Sequence, residues 1–190
     1  MKYLCRCIHS TTVSQPCNER RLLLGLAVLA SMGLSACDKK TGSRTEPLPV
    51  AFDSATACEL DGMLLADYAG PKAQIHYAGL AAPVFFCDTV ELFDTLLRAE
   101  QVRKISAVFV QDMGLADWEQ PRGHWTGAHS AVYVQGSRRH GSMGPTLASF
   151  SLDTEAKKFI QRWGGKILRF DEVTTSIADL SGGALHDSRM

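Results

Sequence analysis

The sequence predicts an α+β body made of two tandem ββαβ units, and three patterns predict it. Short apolar runs alternate with two stretches of helical periodicity. A capping box opens the first of those stretches, and Asp88-Thr89 laid on Asp153-Thr154, 65 positions on, brings the same order of elements round again. With 190 residues, 45% hydrophobic and 21% charged, the chain can bury one core or two very small ones and is neither disordered nor collagen-like.

The first unit covers residues 55–114. Residues 73–78 (AQIHYA) and 84–86 (VFF) read as strands. Asp88 then stands before a run in which Leu92, Phe93, Leu96 and Leu97 make one helical face, with Glu91 three positions after the cap. Residues 105–110 (ISAVFV) close the unit as a strand. The second unit covers residues 115–173. Residues 131–134 and 147–150 are its first strands, and Asp153 is expected to cap a helix with Ala156, Phe159, Ile160 and Trp163 on its apolar face. Gly164-Gly165 stops that helix and residues 167–170 form the last strand. Two such pieces can also look alike by chance, since a shared Asp-Thr is a weak anchor.

The halves differ in one place. Tyr77 to Asp88 is 11 positions, whereas Tyr133 to Asp153 is 20, and the surplus contains residues 137–145, SRRHGSMGP. This stretch is too polar for a core and reads as an exposed loop carrying Met143.

Outside the body, Arg20-Arg21 precede the apolar run LLLGLAVLASMGL, about a dozen residues, too short for a ~30 Å hydrocarbon core but suited to a secretory signal over residues 1–36. Leu34-Ser35-Ala36-Cys37 resembles the lipobox of bacterial lipoproteins, which makes Cys37 a lipidation site that anchors the chain to a cell membrane, outer or inner. Residues 37–54, polar with two Pro, read as a lipidated tether, and residues 174–190 as a flexible C-terminal tail. The chain holds 20 Lys+Arg and 20 Asp+Glu; loss of Lys2, Arg6, Arg20, Arg21 and Glu19 with the signal leaves a net charge of about −3. A dedicated nucleic-acid binder is thereby disfavoured, for lack of a basic surplus.

Of six Cys, only Cys58 and Cys87 remain in the body. One reading is a structural Cys58-Cys87 disulfide in a non-catalytic structural or binding lipoprotein without metal. The other is a soft-metal thiolate. Cys58-Glu59-Leu60-Asp61-Gly62-Met63 sets a thiol and a thioether five residues apart around a Gly that permits a tight turn. Thiolate and thioether suit Cu(I), whereas Ca²⁺ and Mg²⁺ want oxygen. Met143 is a further thioether, and His140, three residues before it, an auxiliary candidate. A closed zinc site needs four N/S ligands at recognisable spacing, and no CxxC or paired-His pattern occurs after Cys37. HExxH, GxSxG, P-loop, GxGxxG and CxxCH motifs are absent too, so nothing supports an enzyme.

Cys58-x-x-Asp61-Gly62-Met63, Gly70-Pro71-Lys72-Ala73-Gln74, Phe86-Cys87, Asp112-Met113-Gly114 with Asp117-Trp118, Gly141-Ser142-Met143-Gly144-Pro145-Thr146 and Ala148-Ser149-Phe150, in that order, resemble the nitrous oxide reductase accessory lipoprotein (NosL) family. The resemblance implies a copper chaperone that binds Cu(I) and serves assembly of the copper centres of nitrous oxide reductase with the NosDFY ABC-transporter machinery. It also implies two ββαβ units of a fold like that of organomercurial lyase. Carried over by position, the metal residues are Cys58, Met63 and Met143, with Met113 either a further ligand or a packing residue. Some members have a second Cys where this chain has Asp61, which leaves Cys58 the sole thiolate of the motif. Cys87 reads as a buried small hydrophobe rather than a ligand. Asp112 and Asp117 read as solvated acids.

Overall fold

The computed structural model describes residues 46–100 and 102–180. The signal segment, Cys37 and residues 181–190 lie outside them. The strands are β1 (Ala73–Tyr77), β2 (Val84–Phe86), β3 (Ile105–Gln111), β4 (Trp125–Gly127), β5 (Val132–Gln135), β6 (His140–Gly141), β7 (Gly144–Pro145), β8 (Ala148–Phe150) and β9 (Lys166–Arg169). Helix α1 (Thr89–Leu97) lies between β2 and β3, and α2 (Asp153–Trp163) between β8 and β9.

The first sheet has the order β2-β1-β3-β4 and the second β8-β5-β9, with every pairing antiparallel. In both, the first strand of the set lies between its second and third, and the helix joins the strands on either side of that first strand. The polar surplus of the second half forms a hairpin of its own, β6 against β7, with Gly141 opposite Gly144 and Ser142-Met143 as its turn.

Alternation along the strands sets which face each residue buries. Ala73, Ile75 and Tyr77 of β1, with Val108 and Val110 of β3, point into a core that also takes Phe93 of α1 and Tyr133 of β5. Phe93 and Tyr133 meet edge to face at 5.0 Å. One core therefore serves both sets of strands. The opposite side of β5 buries Val132 and Val134 with Phe150, Trp118 and Ala156 of α2. The other side of the first sheet carries a small cluster of Phe52, Cys58, Leu65 and Cys87, flanked by Leu60, Met63, Phe85 and Trp125.

Several local expectations change. Asp153 is not the cap of α2: Leu152 holds that position without a side-chain bond, and Asp153 is the first helical residue, paired with Arg169 at 2.9 Å. Asp112 is not solvated; it is buried, accepting from the Gly114 amide at 2.9 Å and from the Ser151 hydroxyl. Packed structure begins inside the stretch read as tether, where Val50 exchanges two bonds with the Gln74 amide group and Phe52 is buried. It continues into the stretch read as tail, where Ala178 is buried and Ile177 and Leu180 pack on the main core. His76, in β1, bonds Gln74 Oε1 at 2.9 Å.

Candidate metal centre

Two chain segments build the centre. The first is the loop from Cys58 to Met63. Gly62 adopts φ +78°, a conformation an L side chain resists. The loop closes with the Cys58 amide on the Met63 carbonyl at 2.8 Å and the Gly62 amide on the Cys58 carbonyl at 3.0 Å. Asp61 receives the Met63 amide at 2.9 Å, and the Glu59 amide ties the loop to β2 through the Phe85 carbonyl at 2.8 Å. The tight turn thus brings the thiol-bearing and thioether-bearing residues back beside each other, with Met63 half-buried in the cluster that holds Cys58.

The second segment is the start of α1. Cys87 follows β2, and Asp88 caps the helix by accepting from the Val90 amide at 3.0 Å. Glu91 reaches back to the Asp88 amide at 3.2 Å, completing the box that the sequence predicts. The same Glu91 oxygen lies 3.1 Å from Cys58 Sγ, while its other oxygen is buried with no hydrogen-bond partner. Cys58 Sγ, Cys87 Sγ and an Asp61 carboxylate oxygen all fall within 4.8 Å of one another, a group able to hold a metal ion. Both cysteines are free thiols, buried, whereas Asp61 is exposed.

The three acidic groups share protons unequally. Hydrogen bonding with Cys87, whose Sγ also donates to the Met63 carbonyl at 3.6 Å, lowers the Cys58 pKa to about 6 against burial, helped by the backbone amides of Cys87, Asp61 and Leu60. Cys87, on the donating side of that bond and desolvated, is pushed far up and keeps its proton. Burial raises Glu91 to about 10, assisted by the negative sulfur of Cys58. At neutral pH the protons therefore sit on Cys87 and Glu91, and Cys58 carries the negative charge, the form that ligates metal. Lys72, fully buried, donates to the carbonyls of Cys87 at 2.9 Å and Ala69 at 3.0 Å. Burial lowers its pKa, and the charge of Asp88 acts most strongly to restore it.

The β6–β7 hairpin joins this arrangement through Asp88, whose Oδ2 receives the Ser142 amide at 3.1 Å and whose Oδ1 receives the Thr146 hydroxyl at 2.6 Å. Half-buried Met143 is thus carried to the N-terminal end of α1, the end that Cys87 precedes. Met113 packs instead in the core on the α2 side of the second sheet, with Trp118 and Val132. That placement supplies its packing reading. His140 is exposed and outside the Cys58, Asp61, Cys87 group; its carbonyl accepts from the Trp118 indole at 3.1 Å. The reading of Cys87 as a mere hydrophobe misses its partner: it is buried, as expected, but against the sulfur of Cys58. The sequence marks Glu91 only as a cap: at 100° per residue it falls opposite the Leu92, Phe93, Leu96 and Leu97 face, so no periodicity signals its burial against Cys58.

Among the described residues no helix is long and apolar enough to cross a membrane. The NosL family profile matches residues 49–178. The chain is 36% identical over 168 residues to the copper-binding lipoprotein NosL of Stutzerimonas stutzeri, covering 85% of this chain and 87% of that one. It is 34% identical over 162 residues to the copper-binding lipoprotein NosL of Achromobacter cycloclastes, at 83% and 82% coverage. A crystal structure of the copper chaperone NosL from Shewanella denitrificans superposes with a TM-score of 0.65 at 39% identity, covering 68% of this chain and 97% of that one. The order of motifs, the antiparallel sheets with their two helices and these matches agree: the chain belongs to the NosL family.

Proposed function

We propose that this protein is a non-catalytic, lipid-anchored copper chaperone on the periplasmic side of a cell membrane. Cys37 carries the lipid, and the body holds Cu(I) for assembly of the copper centres of nitrous oxide reductase, in concert with the NosDFY transporter machinery. The observation that carries the reading is the meeting of Cys58 Sγ with Cys87 Sγ and an Asp61 carboxylate oxygen within 4.8 Å, in the cluster that also holds Met63, where the bond to Cys87 lowers the Cys58 pKa. Cu(I) is the cargo that this chemistry suits: one anionic sulfur, neutral thioethers from Met63 and Met143, and an apolar surround that disfavours harder, more hydrated ions. Asp61, an oxygen donor at the exposed edge, is a poor permanent ligand for it. A site with few ligands releases its ion by ligand exchange, each partner sulfur or nitrogen replacing one of its own. The names of the relatives support copper.

The test is an anaerobic Cu(I) titration of the soluble body against a competing chelator. Tight one-to-one binding that is lost in Cys58→Ala supports the reading; a wild-type body that never competes rejects it. The other reading, a metal-free lipoprotein stapled by a Cys58-Cys87 disulfide, predicts no reactive thiol under non-reducing conditions. The structure holds both as free thiols.

A further inference from the structure

We propose that Asp88 is a positioning residue that fastens the Met143 hairpin to the thiolate side of the copper site. The proposal rests on the chaperone reading above and names what assembles its site. Asp88 is fully buried and ligates nothing itself, yet it is bonded on both sides of the hairpin turn. Oδ2 receives the Ser142 amide at 3.1 Å, with the Ser142 hydroxyl at 3.4 Å; Oδ1 receives the Thr146 hydroxyl at 2.6 Å and, on its own helix, the Val90 amide at 3.0 Å. Met143 lies between the two clamped residues, and Cys87, whose thiol sets the charge on Cys58, is the residue next to Asp88.

The backbone of the hairpin is shaped for this grip. A Cβ at Gly141 would stand 2.1 Å from Asp88 Oδ2 and 2.9 Å from Thr146 Cβ, so only Gly lets the strand approach the carboxylate. On its other side Gly70 lies so close that a Cβ there would be 2.7 Å from Gly141 Cα. A hairpin of two-residue strands is too short to hold its own register. The buried carboxylate supplies the missing restraint; burial pushes its pKa up, against the Thr146 hydroxyl, the Val90 and Ser142 amides and Lys72, which favour its charge. Asp88 thus sets where the thioether from one half of the chain stands relative to the thiolate from the other.

Asp88→Asn separates this role from helix capping. Its Oδ1 still serves the Val90 amide and Thr146, and Asn is as good a cap as Asp, but an NH₂ now faces the Ser142 amide. Gly141→Ala breaks the same grip from the hairpin side and leaves the charge beside Lys72 untouched. The expected result is a folded protein in which each variant weakens Cu(I) about 10- to 100-fold, the usual effect of losing a residue that orients a ligand. Copper X-ray absorption should show one sulfur neighbour fewer, and Met143→Ala added to Asp88→Asn should cost nothing more. Hydrogen exchange at the hairpin amides of the copper-free protein should speed up. Full affinity in both variants overturns the proposal, and so does a Met143→Ala effect that persists undiminished in the Asp88→Asn background. If Asp88→Asn fails to fold, Gly141→Ala decides by the same readings. A wild type that takes no Cu(I) overturns the chaperone reading instead, and hairpin exchange then still reports whether the clamp exists.

Discussion

The two helices begin with the same Asp-Thr pair, and the two beginnings have opposite fates. At the start of α1, all five residues 87–91 are buried, and Asp88 and Glu91 complete a capping box that also reaches Cys58 and the hairpin. At the start of α2 only Ala156 is buried; Asp153 pairs with Arg169 and Glu155 with Lys158 at the surface. The cause lies in what packs over each. Thr89 at the first position of α1 donates to the Leu147 carbonyl at 2.6 Å, so the second half of the chain covers that end, whereas among the described residues the first turn of α2 keeps its acids at the surface. One local pattern becomes chemistry where a second layer excludes water, and ordinary surface electrostatics where it does not.

The comparison can be broken most severely at Cys58. Cys58→Ala removes the anionic sulfur of the site, and Cu(I) binding should fall below what chelator competition detects, with the far-ultraviolet circular dichroism retained. Next come the paired acids. Glu91→Ala leaves the buried Asp88 amide unpaired and should cost about 1–3 kcal/mol in denaturant titration. Glu155→Ala, at the equivalent position of α2, should stay within about 0.5 kcal/mol.

Proton linkage sharpens the contrast further. Glu91 is raised on folding from 4.5 to about 10, so its contribution to stability is whole below about pH 4.5 and is lost as pH climbs towards 10. Cys58 is lowered from 9.0 to about 6, so its contribution is present above pH 9 and is lost as pH falls through about 6. Between pH 6 and 9 the two slopes oppose each other, because folding moves a proton from the sulfur to the carboxyl without net uptake. Denaturant titrations across that range should find wild-type stability nearly level, rising with pH in Glu91→Gln and falling with pH in Cys58→Ser. Alkylation of the copper-free native protein should show Cys58 half-maximally reactive near pH 6, with Cys87 protected until the chain unfolds. The smallest effect belongs to Asp153→Ala: loss of one exposed pair with Arg169, about 0.2–1 kcal/mol at low salt and less at high salt.

Much of the frame was legible from local pattern. Local pattern places β2 to the residue and β1 and β3 to within one, and Asp88 and Glu91 mark the capping box of α1 because both of its bonds run within four residues. Asp153 misled by the same logic: an Asp before an apolar face predicts a cap, but the backbone turned helical one residue earlier than the pattern implied. The Cys58 loop was readable as a tight turn from Gly62 alone. Glu91 against Cys58 was not readable, since 33 residues separate them and no periodicity relates a loop to a helix face.

By itself, then, the sequence determined the alternating and helical periodicities, the turn glycines, and a supply of soft ligands in a chain with few cysteines. These depend on neighbours within a turn or two, where the chain's own stereochemistry dominates. Only the tertiary structure decided that Cys87 protonates in favour of Cys58, that Glu91 is buried and neutral, and that Asp88 reaches 54 residues ahead to hold Ser142. Those outcomes turn on desolvation, and how far a group is removed from water depends on which distant segments cover it.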